Sequence, residues 1–293
     1  MHARTARSPL CMAGLAAILT AAVAGCAAAG SGASGSATAA PTSPQDAVRL
    51  AAKTTNGASS FTGTMRLTAT GMAGAPSSAN ISMTASMAEQ LHPSVLAQVE
   101  IGSISSGTQT LPGGMSEILT PSNLYLKYPA LTQELGTGKP WLVIPVSALS
   151  NISGVNISQL FSQATSTSPL NESQMLSGAS NVRKVGTATL DGVPVTEYTG
   201  TVSLDKGLQY LSGSFKASMQ KEIAAAGLTS ATFTVWVDGR QVMRKAVITE
   251  NGTVLTEVIT VTINTINQPV NIAVPAADQT AALPSGALGS LSS

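Results

Sequence analysis

Few residues in this chain are able to do chemistry, and most of them are badly placed for it. Beyond residue 25 there is one histidine, His92, followed by Pro93, a context that suits a solvated strand end better than a catalytic base. Glu89, Glu100, Glu117 and Glu134 are spread along the middle of the chain, with no spacing that would pair two of them for acid–base work. There is no Gly-x-Ser-x-Gly elbow, no phosphate-cradling Walker loop and no His/Cys set at zinc spacing. Asp191-Gly192 and Asp238-Gly239 lack the further acidic positions of a calcium loop and read as turns. These absences argue against an enzyme and imply no metal and no cofactor. One side chain stands apart, the thiol of Cys26.

Cys26 closes the stretch LCMAGLAAILTAAVAGC, which begins at Leu10. His2, Arg4 and Arg7 precede it, and the uncharged run from Leu10 to Ala24 has the length of a signal-peptide core, too short to span a bilayer comfortably. The last four residues, Val23-Ala24-Gly25-Cys26, resemble the bacterial lipobox. The resemblance implies that residues 1–25 are a lipoprotein signal peptide and that acyl chains of the palmitate kind are attached at Cys26. It also implies that the mature chain sits on the outer, extracytoplasmic face of the cell membrane. An ordinary secretory signal that happens to end at a cysteine is the alternative.

The 293-residue chain carries 15 basic and 14 acidic residues, and loss of Arg4 and Arg7 with the leader leaves a net charge of −1. Such a chain has no basic stripe for nucleic acid and no polybasic patch for an anionic membrane surface. Attachment to the membrane therefore falls to the acylated cysteine, for which two chains suffice. Cys11 leaves with the signal, so no disulfide is available and the folded part must rest on its core. Residues 26–42 follow as a tether: after Cys26 they contain only Ala, Gly, Ser, Thr and Pro. Such a chain cannot bury enough apolar surface to order itself and reaches roughly 20–24 Å.

Residues 43–275 read as one domain and 276–293, again rich in Ala, Ser, Gly and Pro, as a flexible tail. Ser43-Pro44-Gln45-Asp46 is a helix start, with Ala47, Leu50, Ala51 and Thr54 on one face and Gly57 as a stop. From Phe61 onward apolar and polar residues alternate: Met65, Leu67 and Ala69; then Ile81, Met83, Ala85 and Met87; then Val95, Ala97, Val99 and Ile101. Strands are also expected at 117–119, 123–127 and 141–144, and short helices at 153–164 and 170–177. In the last third, Asp191-Gly192, Asp238-Gly239 and Asn251-Gly252 sit between alternating runs, which predicts three tight hairpins with positive φ at both central residues. A helix over 205–226, with Leu208, Leu211, Phe215, Met219 and Ile223 at helical spacing, interrupts this meander, and Gly213 is expected to break it into two pieces. The fold class is α+β: a large curved antiparallel sheet of about ten strands, a half-barrel, with a few helices covering its concave face.

Eight methionines outside the leader, among them Met65, Met83, Met87 and Met115, and few aromatic residues make an apolar interior that parts easily around a flexible guest. Ordinary core packing is the alternative reading of each. Candidate lining residues for a cleft are Met83, Met87, Leu124, Val235, Val237, Ile259 and Val261 from strands, with Phe215 and Met219 from a covering helix.

The order of these features resembles the LppX/LprG family of actinobacterial lipoproteins, which share the fold of the LolA carrier. The resemblance rests on Cys26, the first helix, the Phe61 strand, and Asn123-Leu124-Tyr125-Leu126-Lys127 leading to Trp141-Leu142. It rests also on Val185-Gly186 with Asp191-Gly192-Val193 ending in Glu197-Tyr198, and on Val235-Trp236-Val237-Asp238. It implies a lipid-binding envelope lipoprotein that holds lipid or acylated glycolipid between sheet and helices and carries it in the cell envelope. The alternative keeps the fold but gives it a protein partner, as an envelope sensing or assembly module.

Overall fold

A computed structural model describes residues 41–283, apart from 71–79, 92, 108, 112–113, 150–172, 212 and 253–255. The leader, Cys26, the tether up to residue 40, His92 and the helix expected at 153–164 therefore lie outside the described residues.

The first half of the chain supplies β1 (Ser60–Thr70), β2 (Ile81–Gln90), β3 (Leu96–Ser106), β4 (Gln109–Leu111), β5 (Met115–Leu119), β6 (Asn123–Lys127) and β7 (Trp141–Pro145). The second half supplies β8 (Ala179–Leu190), β9 (Val193–Ser203), β10 (Leu228–Asp238), β11 (Met243–Gly252), β12 (Thr256–Ile266) and β13 (Thr280–Ala282). All belong to one open sheet ordered β13-β7-β6-β5-β3-β2-β1-β12-β11-β10-β9-β8, with β4 as a side branch on β3. The expectation of about ten strands is thus exceeded. The short β4 and β13 account for much of the difference. β13 lies in the segment expected to be a flexible tail, and it adds to the sheet edge in parallel with β7. Lys139 Nζ donates to the carbonyl of Asp278 at 2.6 Å and Leu283 N to that of Val143 at 3.2 Å, so residues up to 283 are tied down.

Helix α1 (Pro44–Asn56) starts as its sequence dictates. Ser43 is the N-cap, accepting from Asp46 N at 3.1 Å, and Pro44 supplies a first turn that needs no N–H. The acidic side chain of Asp46, held by the Ser43 and Thr42 hydroxyls, has its pKa lowered. The helix presents Ala47, Val48, Ala51 and Ala52 to the sheet, all buried, against Phe233, Val235 and Val237 of β10 and Met243 of β11. Small residues on that face let the helix axis come close. Thr55 fixes the contact, its Oγ1 accepting from Met243 N at 2.9 Å. Gly57 ends the helix, but at φ −79° it does so without the left-handed cap.

The short helices α2 (Pro129–Glu134) and α3 (Val146–Leu149) flank β7. The expected helix at 170–177 appears, where described, as a 3-10 turn at Ser173–Gly178 against α1. The expected 205–226 helix is divided, as Gly213 suggested, into α4 (Leu204–Gly207), a 3-10 turn at Leu208–Tyr210, and α5 (Gly213–Ala226). Ile223 of α5 packs with Leu204, Leu208, Leu211 and Val202 over β9 and β10.

Of the register shifts among the described strands, those in β1–β12, β2–β3 and at Trp236/Val237 of β10–β11 set which residues share the apolar face. Between β1 and β12, Thr62 faces Thr265 and Gly63 faces Ile263, so Ile263 and Ile266, three apart, share a face. Between β2 and β3 an extra residue puts Ile101 and Ile104 together. Between β10 and β11, Trp236 faces Lys245 and Val237 faces Met243, which leaves Arg244 unpaired in the ladder.

Of the three expected hairpins, Asp191-Gly192 has the predicted geometry, with φ 48° and 80°. Asp238-Gly239 does not. The carboxylate of Asp238 accepts from Arg240 N at 2.8 Å and Val242 N at 3.1 Å, which lengthens the turn and moves its left-handed residue to Gln241, φ 59°. Asn251-Gly252 is likewise not a two-residue turn, because Asn251 already pairs with Thr256.

Candidate functional site

Directly opposed residues of neighbouring strands share a face, so the ladder pairings assemble the site row by row. One row crosses eight strands: Tyr198, Val235, Ala246, Val261, Met65, Ala85, Ile101 and Met115. The next runs Phe233, Ile248, Ile259, Leu67, Met83 and Ile104. On the other side lies Ile263, Gly63, Met87, Val99, Glu117, Leu126 and Leu142. The result is one apolar face across the sheet. The opposite face carries Ser and Thr ladders, such as Thr62 with Thr265 at 2.8 Å and Thr84 with Ser103 at 3.0 Å. Both tryptophans lie beside lysines there, Lys245 over Trp236 at 4.9 Å and Lys127 over Trp141 at 6.0 Å.

The seven strand candidates all fall on the apolar face, but in separate groups. Val235 and Val237 are core beneath α1. Val261 borders a void of about 30 Å³ between that helix and the sheet, together with Met243, Ala246, Ile248, Leu176 and Ile263. That space is of the order of one water molecule and holds no acyl chain. Met87 packs with Phe61, Val242, Ile263 and Ile266. Met83 packs with Ala85, Ile101 and Ile104, and Met65 and Met115 lean on this group. Leu124, half-buried, faces Leu119 and Ile144 on the far side of the sheet, and Ile259 faces Leu67 and Ile248. On α5, Met219 joins the cluster over β9 and β10, away from Met83 and Met87. Phe215 lies on the same helix, but its side chain is outside the described residues.

The carboxylates expected to be scattered and unrelated are not all so. Glu89 and Glu117 point into the apolar face, in adjacent rows: Glu89 opposite Phe61 and Ala97, Glu117 opposite Val99 and Leu126. Their parity with Met83, Ala85 and Met87, and with Met115 and Leu119, was the available signal. Desolvation raises the Glu117 pKa to about 8, so at neutral pH this side chain is a neutral acid. Lys127, its neighbour on the next strand, is turned to the other face. Glu250 of β11, half-buried on the apolar side of the sheet, is raised by the same desolvation. Glu100 and Glu134 are exposed, Glu100 accepting from Gln98 Nε2 at 2.8 Å.

Among the described residues, no group of acids, histidines and cysteines is placed to hold a metal ion, and no helix is long and apolar enough to cross a membrane.

No protein-family model matches this chain. An uncharacterized 31.2 kDa protein of Streptomyces griseus, from the rplA-rplJ intergenic region, is 30% identical over 119 residues. The match spans 39% of this chain and 38% of that relative. Among solved structures, the lipoprotein LppX of Mycobacterium tuberculosis is 18% identical over 78% of this chain and 98% of its own, with a TM-score of 0.42. LprF from Mycobacterium bovis is 13% identical over 80% of this chain and 97% of its own, at 0.47. A LolA superfamily protein from Nitrosomonas europaea is 9% identical over 80% and 96%, at 0.27. At these identities the likeness concerns the fold, and no ligand or partner is carried over from it.

Proposed function

We propose that the protein is an envelope lipoprotein, held at the outer face of the cell membrane through acylated Cys26, that binds or carries the acyl chains of a lipid or acylated glycolipid. The observation that carries this reading is the mismatch between the two layers. The apolar face runs from β9 to β7, whereas among the described helices α1, α4 and α5 pack on the β8–β11 side. The remaining half of the face, over β1, β2, β3, β5, β6 and β7, offers Met65, Leu67, Met115, Leu124 and Leu126 as half-buried apolar side chains around buried Met83, Ile101 and Leu142. Burial of an acyl chain there contributes about 0.8 kcal/mol per methylene. The methionines, unbranched and polarizable, adapt to chains of varied length. A neutral Glu117 in the same face donates a hydrogen bond to an ester carbonyl without placing a charge in the cleft.

Two measurements on the mature chain test this. Extraction under native conditions followed by lipid mass spectrometry is expected to return a stoichiometric acyl lipid. Leu124→Trp is expected to reduce binding of a fluorescent acyl probe several-fold while the unfolding midpoint holds, and Tyr125→Trp on the opposite face to leave binding intact. Absence of both co-purified lipid and probe binding ends the acyl-chain reading and leaves the face to a protein partner.

A further inference from the structure

A second groove, of about 600 Å³, lies at the end of the sheet where the β8–β9 and β10–β11 turns come together, its walls formed partly by Val193, Pro194, Val195 and Val237 and its charged groups by Asp238, Arg240 and Arg244. Asp238 is buried beside it, and its carboxylate is saturated. Oδ1 accepts from Arg240 N at 2.8 Å and Val242 N at 3.1 Å; Oδ2 accepts from Arg244 Nε at 2.9 Å and lies 3.6 Å from Arg240 Nε. Two guanidiniums thus converge on one carboxylate oxygen, and the groove has no other acidic residue in its lining. The bulge explains how this pair arises. Arg244 is the residue left over in the β10–β11 ladder, so its side chain is free to turn to Asp238. Its Nη1 makes only a long contact, 3.5 Å, to the carbonyl of Asn264. Arg240 is 63% exposed in its side chain and makes no hydrogen bond with its guanidinium among the described residues. The hydroxyl-bearing Thr187, Thr196 and Tyr198 line the same groove, and their hydroxyls have no hydrogen-bond partner among the described residues.

We propose that this groove is a binding site for a phosphate group. A guanidinium presents paired donors that match phosphate oxygens two at a time, and the excess positive charge favours an anion. A planar carboxylate has two oxygens, fewer than the donors assembled here from two arginines and three hydroxyls. A tetrahedral phosphate uses more of them. The phosphate comes either from a free phosphorylated solute or from a lipid head group in a bilayer. The site stands whether or not the apolar face holds acyl chains, since it meets that face only at the β8–β10 end, through Thr187, Thr196, Tyr198 and Val237, away from Leu124 and Glu117.

The test uses the mature chain with Cys26→Ser, so that no anchor contributes, at pH 7 and constant ionic strength. One arm titrates inorganic phosphate calorimetrically. The other measures co-sedimentation with phosphatidylcholine vesicles, with and without phosphatidic acid, whose terminal phosphate is accessible. Saturable binding is expected in at least one arm, weakened at least about tenfold in Arg240→Gln and largely kept in Arg240→Lys. Because Arg240 is exposed, its substitution leaves the unfolding midpoint in place, and that midpoint is measured alongside. Binding in the first arm alone identifies a free phosphorylated solute; binding in the second alone identifies a head group. Lack of saturable binding in both arms, or binding unchanged in Arg240→Gln, overturns the proposal.

Discussion

Replacing Glu117 by Gln should make the protein more stable, and increasingly so as pH rises. In the folded chain the Glu117 carboxyl loses its proton near pH 8, against an ordinary value of 4.5, because Val99 and Leu126 face it across the neighbouring strands. Below pH 4.5 both states hold the proton and the group contributes no difference. Between pH 4.5 and 8 the unfolded chain ionises while the folded chain does not, so wild-type stability falls with rising pH by at most about 1.4 kcal/mol per unit. Across that window the ceiling is about 5 kcal/mol. The expected loss by pH 8 is therefore about 3–5 kcal/mol. Glutamine has nearly the same shape and does not titrate. Urea unfolding of both proteins at pH 5, 6.5 and 8 should show the difference between them opening by that amount. Thermal midpoints should separate by about 2–4 °C per kcal/mol for a domain of this size. The other titrating groups, Glu250 included, are common to both proteins and cancel. Parallel pH profiles would refute the reasoning, since they require Glu117 to be ionised in the folded state at neutral pH.

Gly63→Ala should destabilise the domain by about 1–3 kcal/mol, because a Cβ there would stand 2.5 Å from the Thr262 carbonyl oxygen, a backbone atom that cannot step aside; an unchanged urea midpoint would contradict the β1–β12 bulge. Gly239→Val should be neutral to within about 0.5 kcal/mol and Gly192→Val should cost about 1–2 kcal/mol, since Gly192 alone of the two has positive φ. Equal losses in thermal unfolding would contradict the turn assignments. Cys26→Ser should move the chain out of the membrane fraction while leaving its circular dichroism intact; retention of a cleaved variant would reveal a second anchor.

Strands were legible because one face of the sheet is apolar and the other is not, and a period of two survives any uncertainty about partners. The bulges were not legible. Ile101 and Ile104, Ile263 and Ile266, and Met243 and Ala246 are each three apart, which along an isolated strand reads as a break in alternation. Only pairing with a neighbour of different local length turns that break into a shared face. The turns divide for a similar reason. Asp191-Gly192 has no competing side-chain hydrogen bond among the described residues and takes the conformation its dipeptide prefers. Asp238 bonds the amides two and four residues on and draws Arg244 to its other oxygen, so the side chain overrides the dipeptide preference. β13 is three residues of Thr and Ala, and no local pattern could announce it; the exposed edge of β7 creates it.

Parity assigns a residue to a face, but what covers that face is decided by another part of the chain. Val235 and Met83 look alike in their strands, alternating with polar neighbours, and share the apolar face. Both are buried, but α1 brings Ala47, Val48, Ala51 and Ala52 onto β10 above Val235, with a void of only about 30 Å³ between helix and sheet, whereas Met83 is packed among Ala85, Ile101 and Ile104 of its own half of the sheet. A helix with a small-residue face lies tight on its sheet and leaves no room for a guest; one with large side chains would stand off. The Ala-rich face of α1 thus argues against an acyl site beneath it and directs the proposed site to the other half of the sheet, where Met65, Met83 and Met115 come together. Leu124 and Glu117 belong to that half and Val235 and Val237 do not. Tryptophan at Val235 should therefore act as overpacking in a closed core and cost about 1–3 kcal/mol with no selective effect on probe binding. Tryptophan at Leu124 should affect probe binding and leave stability largely alone. If Val235→Trp removed probe binding at an unchanged midpoint, the guest would lie under α1 and the assignment of the two halves would have to be reversed.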